Sequence, residues 1–132
     1  METTIATLPT MVVGGQIFEL VWFFKDKDKD EDGKFHIIGT EMVERAKALN
    51  SMANRSHVEL FLANQKDIPI ECRGLVLVFA DAIKHGPRGY LGVTYLWWCD
   101  VPRCGAPPQW IRFNCWLGWG FGDFCRLVRP KK

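Results

Sequence analysis

Apolar and polar positions follow the clearest pattern in the C-terminal half of the chain, where three apolar runs are separated by short segments rich in Gly and Pro. Each run is rich in β-branched and aromatic residues, which favour strands. We therefore predict strands over 75–83, 90–99 and 109–117. The intervening segments, 86–89 and 102–108, have the composition of turns and loops. The pattern predicts an antiparallel meander, in which each strand pairs with the next one along the chain.

Two short helices are predicted before the meander. Apolar residues recur with helical spacing over 41–49, and Thr40 is expected to cap that helix. The second helix, over 56–65, begins with the capping-box pattern S-x-x-E and stops before Pro69. Helices of this length are marginal alone. We therefore expect both helices to pack on one face of the sheet.

The remaining segments give weaker signals. The apolar run at 17–24 is compatible with a strand or a short helix, because so few residues do not separate the two periods. Residues 127–128 are expected to add a last short edge strand. The predicted organisation is a flexible lead-in over 1–14, a single α+β domain over 15–128 and a basic tail over 129–132.

Length and composition agree with this organisation. A chain of 132 residues with 48% hydrophobic residues can form one domain with its own core. The predicted fold class is α+β, with two short helices packed on a three- to four-stranded antiparallel β-meander. No apolar run approaches a membrane span, and the first residues lack the pattern of a signal peptide. The odd number of cysteines, five, then favours free thiols and a cytoplasmic location.

The strand predicted over 109–117 carries large side chains on both faces. One face holds the residues expected in the core, Ile111, Phe113, Cys115 and Leu117. The other face, with Trp98 of the preceding strand, holds the residues expected to contact a partner, Trp110, Arg112, Asn114 and Trp116. A guanidinium and an amide are costly to bury without partners. This second set is therefore uncomfortable in a core, and it forms a candidate binding face that we call the aromatic–basic platform.

Two interpretations of the platform are compatible with the sequence. Trp and Arg are enriched at the hot spots of protein interfaces, so the platform is typical of a binding surface. Cross-strand tryptophan pairs also stabilise small sheets without binding anything. In that second case the residues are ordinary packing.

A protein partner is favoured because the net charge of +2 is too small to indicate nucleic acid by itself. The alternative is a single-stranded nucleic acid, stacked on the platform. The basic residues near the C-terminus would then contact the phosphates, namely Arg126, Arg129, Lys131 and Lys132. An exposed tryptophan face would also suit a homodimer.

An acidic segment, KDKDKDEDGK over 25–34, contains the first half of a calcium loop, D-x-D-x-D-G. The candidate ligands are Asp28, Asp30 and Asp32. The pattern fails at its twelfth position, where Gly39 stands in place of a bidentate glutamate. The competing interpretation is a solvated hairpin loop closed by an Asp-Gly turn.

The sequence contains no recognisable catalytic arrangement. There is no P-loop, dinucleotide fingerprint or HExxH motif, and no histidine is tied to a cysteine by spacing. The cysteines also lack a C-x2-C pair, so a zinc site is disfavoured. We therefore expect a non-enzymatic protein without a cofactor, apart from the calcium hypothesis.

One element resembles a motif of small uncharacterised bacterial proteins. Residues 68–74, Ile-Pro-Ile-Glu-Cys-Arg-Gly, are similar to their I-P-x-E-W-[KR]-G element. In that family the element precedes an aromatic β-meander, which is matched here by Tyr90, 95–98, Trp110 and 116–117. The resemblance implies a shared fold and, because the family has no known function, no site. Cys72 stands where the family has Trp, which suggests that Cys72 packs as a hydrophobic residue.

Overall fold

A six-stranded sheet forms the centre of the protein, which a computed structural model describes over residues 10–100 and 107–131. The strands are β1 (Met11–Val13), β2 (Gln16–Val21), β3 (His36–Ile38), β4 (Val76–His85), β5 (Leu91–Cys99), β6 (Gln109–Trp116), β7 (Gly120–Gly122) and β8 (Cys125–Lys131). The helices are α1 (Gly39–Ala48) and α2 (Arg55–Ala63), followed by short 3-10 helices at Gln65–Asp67 and Ile70–Gly74. The fold class is α+β, as predicted.

The sheet contains more strands than the sequence indicated. Its order is β1-β2-β8-β4-β5-β6, while β3 and β7 pair separately. The meander β4-β5-β6 is confirmed as antiparallel, and the apolar run at 17–24 contributes the strand β2. The prediction of a short edge strand at 127–128 was wrong. Both residues are fully buried in β8, which lies inside the sheet antiparallel to β2 and parallel to β4.

Both predicted domain boundaries also shift. Residues 11–13 of the predicted lead-in form the edge strand β1, which turns into β2 through Gly14 and Gly15. These two glycines have φ angles of 58° and 83°, which favour glycine. Residues 129–131 of the predicted tail belong to β8 because they pair with β2. Residues 1–9 and Lys132 lie outside the described part of the chain.

The two helices cover opposite faces of the sheet, so the prediction of a shared face was wrong. Val58 and Phe61 of α2 pack in one core cluster with Leu77 and Phe79 of β4. The residues of α1 pack in a second cluster, which contains the alternate β4 side chains Val76, Val78 and Ala80. Since successive strand residues point to opposite faces, each helix closes a different layer of the core. This arrangement explains why β4 is buried on both faces, as its near-continuous apolar run predicted.

The helix starts differ from the predicted caps. α1 begins at Gly39, where the backbone N–H donates to the carbonyl of Trp119 at 2.9 Å, so the turn after β6 holds the helix. A side chain at Gly39 would place its Cβ 2.7 Å from the carbonyl oxygen of Leu117. α2 is capped by Asn54, which exchanges hydrogen bonds with His57, and not by Ser56. The two helices therefore begin two residues and one residue earlier than predicted, at Gly39 and Arg55.

Candidate functional site

The platform predicted from the sequence is divided between the core and the surface. Trp110 is only 2% exposed and packs in the cluster beneath α2. Trp98 is half-buried, with its ring edge against Trp110 at a centroid distance of 5.9 Å. The guanidinium of Arg73 lies 3.7 Å from the Trp98 ring centroid. Trp110 is therefore a core residue, because α2 packs on this face of the sheet.

The polar members of the platform contact their own chain. Arg112 forms a 2.7 Å ion pair with Glu59 and so joins β6 to α2. The Thr94 hydroxyl donates to the side-chain oxygen of Asn114 at 2.7 Å. Arg112 and Asn114 are nevertheless exposed, and so is Trp116, at 44%, whose ring contacts Tyr90. The structure therefore does not bring the five predicted residues together on one accessible surface.

An accessible apolar surface lies instead on the opposite face of β5 and β6. Its exposed members are Trp97, at 47%, and Phe113, at 38%. Tyr95 stacks on Phe113 at a centroid distance of 5.5 Å, and Ile111 pairs with Trp97 across the strands. Tyr95 and Ile111 are half-buried. We call these four residues the aromatic strip.

The strip is uncovered because α1 lies over the middle of the sheet. Met42, Val43 and Ala46 of α1 share their cluster with side chains of β4 and β8. That cluster extends outward along β5 and β6 only as far as Val93, Tyr95 and Cys115. The sequence placed Ile111 and Phe113 together on the face expected in the core. They do share a face, but the prediction of burial was wrong for Phe113, because the covering helix stops short of it.

β6 is an outer strand of the sheet, and its free edge is closed at both ends. The side chain of Gln65 occupies the edge at Trp110, accepting from its N–H at 2.8 Å and donating to its carbonyl at 3.3 Å. At the other end, the Trp116 carbonyl accepts from the N–H of Trp119 at 3.0 Å. These contacts show that the backbone groups of even-numbered β6 residues point away from β5, since the direction alternates along a strand.

Between these two closed positions lies an open edge formed by the backbones of Arg112 and Asn114. Within the described residues, their outward N–H and C=O groups have no hydrogen-bond partner. An unpaired strand edge is a ready template for another strand, and proteins usually protect it. The aromatic strip lies directly beside this open edge, because Phe113 is the residue between Arg112 and Asn114. We regard the strip and the open edge as the candidate functional site.

The acidic loop does not gather its three candidate ligands. The carboxylate of Asp28 is bound by both terminal nitrogens of Arg45, whose hydrogen bonds hold the pKa of Asp28 below its ordinary value. Asp30 accepts from the backbone N–H groups of Asp32 and Lys34, at 2.9 and 3.0 Å. Among residues 10–100 and 107–131, no cluster of three or more His, Cys, Asp or Glu could hold a metal. The carboxylates of Asp28 and Asp30 therefore serve to shape the loop.

The basic residues near the C-terminus are paired or buried. Arg129 forms a 2.8 Å ion pair with Glu19 on β2, and Lys131 lies 3.7 Å from the same carboxylate. Arg126 is 4% exposed and its guanidinium lies 4.8 Å from the centroid of the Trp22 ring. Of the predicted basic group, Lys132 lies outside the described residues. The described members therefore do not form a free cationic patch.

Two of the cysteines are buried core residues. Cys72 is 1% exposed, so its predicted hydrophobic packing is confirmed. Burial raises the pKa of the Cys72 thiol to about 11 and that of Cys125 to about 12. A thiol with such a pKa is a poor nucleophile near neutral pH. Cys104 lies outside the described residues.

No protein-family model matches the chain, and no match is found among curated proteins or solved structures. The resemblance to the small bacterial proteins stays a prediction. Over the described residues, no helix has the length and apolar character needed to cross a bilayer. The function is therefore argued from the geometry of the strip and the open edge.

Proposed function

We propose that this protein is a non-enzymatic binding module that takes an extended segment of a protein partner along the open edge of β6. The observation that carries the proposal is the position of unpaired backbone groups beside exposed aromatic side chains. An added strand would pair with the backbones of Arg112 and Asn114. Its alternate side chains would then lie on the aromatic strip, because side chains alternate between the faces of a sheet.

The chemistry of the strip favours a protein segment over nucleic acid. Single-stranded nucleic acids bind where stacking aromatics lie beside cations that contact the phosphates. Arg112 points to the opposite face from Phe113, and it is paired with Glu59. Arg129 and Lys131 share the carboxylate of Glu19. The strip therefore offers apolar contact and backbone pairing, and none of these three cations lies free beside it.

Replacing Trp97 or Phe113 by alanine is expected to weaken peptide binding at least about tenfold, because aromatic anchors dominate such interfaces. The test is to select binders from a display library of random peptides of about ten residues and to measure their affinity for each variant. Selected peptides should alternate apolar and polar residues. Because both side chains are partly exposed, each variant should lose no more than about 2 kcal/mol of its free energy of unfolding and stay folded.

The matched control is Trp119→Ala, which removes a 60% exposed tryptophan that lies in the turn after β6. This variant should bind the selected peptides as the wild type does. Two results would contradict the proposal: equal binding by the Trp97, Phe113 and Trp119 variants, or an affinity that falls steeply with salt as phosphate binding does.

A further inference from the structure

We infer that the segment bound at the open edge is β6 of a second copy of this chain, paired antiparallel about a two-fold axis at Phe113. This inference rests on the proposed function, since it names the partner of the same site. A two-fold axis makes an interface self-complementary, with each residue facing its counterpart on the other copy. The outward backbone groups of β6 are self-complementary in this sense, because the unpaired and the hydrogen-bonded positions are arranged symmetrically along the strand.

The open edge is symmetric about Phe113. Arg112 and Asn114 flank it, and their backbone groups point outward. The next outward positions, Trp110 and Trp116, are the ones closed by Gln65 and Trp119. A second copy of β6 can therefore pair only with the segment 112–114, which is centred on Phe113 and which we call the window.

Only an axis at Phe113 uses the whole window. It pairs Arg112 with the partner's Asn114, and Asn114 with the partner's Arg112, so that every outward N–H and C=O of the window gains a bond. An axis at Arg112 would place two arginines opposite each other, which is destabilising. An axis at Asn114 would pair Arg112 with the partner's Trp116, whose carbonyl is already occupied.

The same axis continues the aromatic strip into the second copy. Phe113 would lie directly opposite the partner's Phe113, at a close position without backbone hydrogen bonds between the pair. The Tyr95–Phe113 stack would then run across the interface, and cross-strand aromatic pairs of this kind stabilise antiparallel strands. On the other face, Arg112 would meet an uncharged amide and keep its ion pair with Glu59. This register therefore pairs the backbone groups, brings the apolar side chains into contact and leaves the ion pair of Arg112 intact.

The first test is sedimentation equilibrium of the full chain. A small edge-to-edge interface should give a dissociation constant on the order of micromolar. Arg112→Pro should raise that constant at least about tenfold, because proline removes an outward N–H and is tolerated where that group faces solvent. Arg112→Ala is the matched control: it removes the same side chain and its pair with Glu59 but keeps the N–H, so it should dimerise within about threefold of wild type.

Cross-linking tests the register independently of any folding defect in the proline variant. Phe113→Cys, treated with oxidised glutathione at a protein concentration well above its weakened dissociation constant, should give a disulfide joining position 113 of two chains, because cross-strand Cβ atoms there lie close enough to be bridged. Peptide mass spectrometry identifies the link. Trp97→Cys is the control, since that position is at least as exposed but lies one strand further from the axis. It should give no link to itself.

The inference is overturned if the wild type is monomeric up to about 1 mM, far above the expected dissociation constant. It is also overturned if Arg112→Pro dimerises like wild type, or if position 113 gives no more self-linked product than position 97. A monomeric protein that still binds selected peptides through Trp97 and Phe113 would keep the proposed function and exclude only the second copy as its partner. A protein that neither self-associates nor binds peptides through these residues would contradict both the inference and the proposed function.

Discussion

Replacing Arg45 by methionine is expected to lower the free energy of unfolding by about 3–5 kcal/mol, the usual effect of breaking a buried ion pair. The side chains of Arg45 and Asp28 are 8% and 7% exposed. Arg45 also donates to the carbonyl of Phe23 at 3.1 Å and to Glu41 at 3.2 Å. The variant leaves the Asp28 carboxylate buried without its cation, which is why the loss is large. Urea denaturation followed by fluorescence measures it.

Two controls separate this effect from a general loss of charge. Lys47→Ala removes an exposed pair with Glu44 and should change the free energy of unfolding by less than about 1 kcal/mol. Adding Asp28→Asn to Arg45→Met should recover part of the loss, because the buried group is then neutral. A change below about 1 kcal/mol in Arg45→Met itself would show that the pair does not hold the acidic loop to α1.

The pH dependence gives a second readout of the same pair. The hydrogen bonds from Arg45 hold the folded-state pKa of Asp28 below its ordinary 3.8. The pair therefore contributes fully above pH 3.8, and its contribution is lost as the pH falls through the lower folded value. In Arg45→Met, burial without a cation raises the pKa of Asp28. Acidification then neutralises this carboxylate and should recover part of the free energy of unfolding that the substitution removed. Equal acid sensitivity in the two proteins would contradict this.

Trp110→Ala is expected to cost about 3–5 kcal/mol of stability, whereas Trp97→Ala should cost no more than about 2 kcal/mol because its ring is 47% exposed. The two rings lie on opposite faces of the outer strands, Trp110 in the core under α2 and Trp97 exposed. Removing the first leaves a cavity beside Leu96 and Trp98. Urea denaturation of the two variants, with peptide binding measured on each, gives the comparison.

Trp110→Phe serves as the intermediate case. The indole N–H of Trp110 is buried and has no hydrogen-bond partner within the described residues. Phenylalanine fills much of the same space and removes that unsatisfied donor, so this variant should lose much less stability than Trp110→Ala. Similar losses in Trp97→Ala and Trp110→Ala would contradict the assignment of one face of β5 and β6 to the core and the other to the surface.

The sequence predicted the meander and both helices because their signals are local. β5 and β6 appear within one or two residues of the predicted ends. The alternation along β6 was also right, since Trp110, Arg112 and Asn114 do share a face. What the sequence could not show is which face is covered. Large aromatic residues occur on both sides of β6, and the choice depends on contacts from helices far along the chain.

Contacts between residues far apart in the chain also explain why the acidic loop and β8 differ from what their local sequence patterns suggest. The D-x-D-x-D-G pattern is typical of calcium loops, but Asp28 is bound by Arg45, 17 residues further along. The strand β8 lies between β2 and β4, although arginines flank its two most buried apolar residues. Arg126 is covered by Trp22, and Arg129 is paired with Glu19. No local pattern identifies these partners in advance.

Amide hydrogen exchange of the dilute protein tests the open edge most directly. The N–H groups of Arg112 and Asn114 should exchange at least about 100-fold faster than those of Ile111 and Phe113, because only the latter pair with β5. Raising the protein concentration, or adding a selected peptide, should slow the two fast amides and leave the others unchanged. Equal protection of all four amides in the dilute protein would contradict the account, since the edge would already be covered.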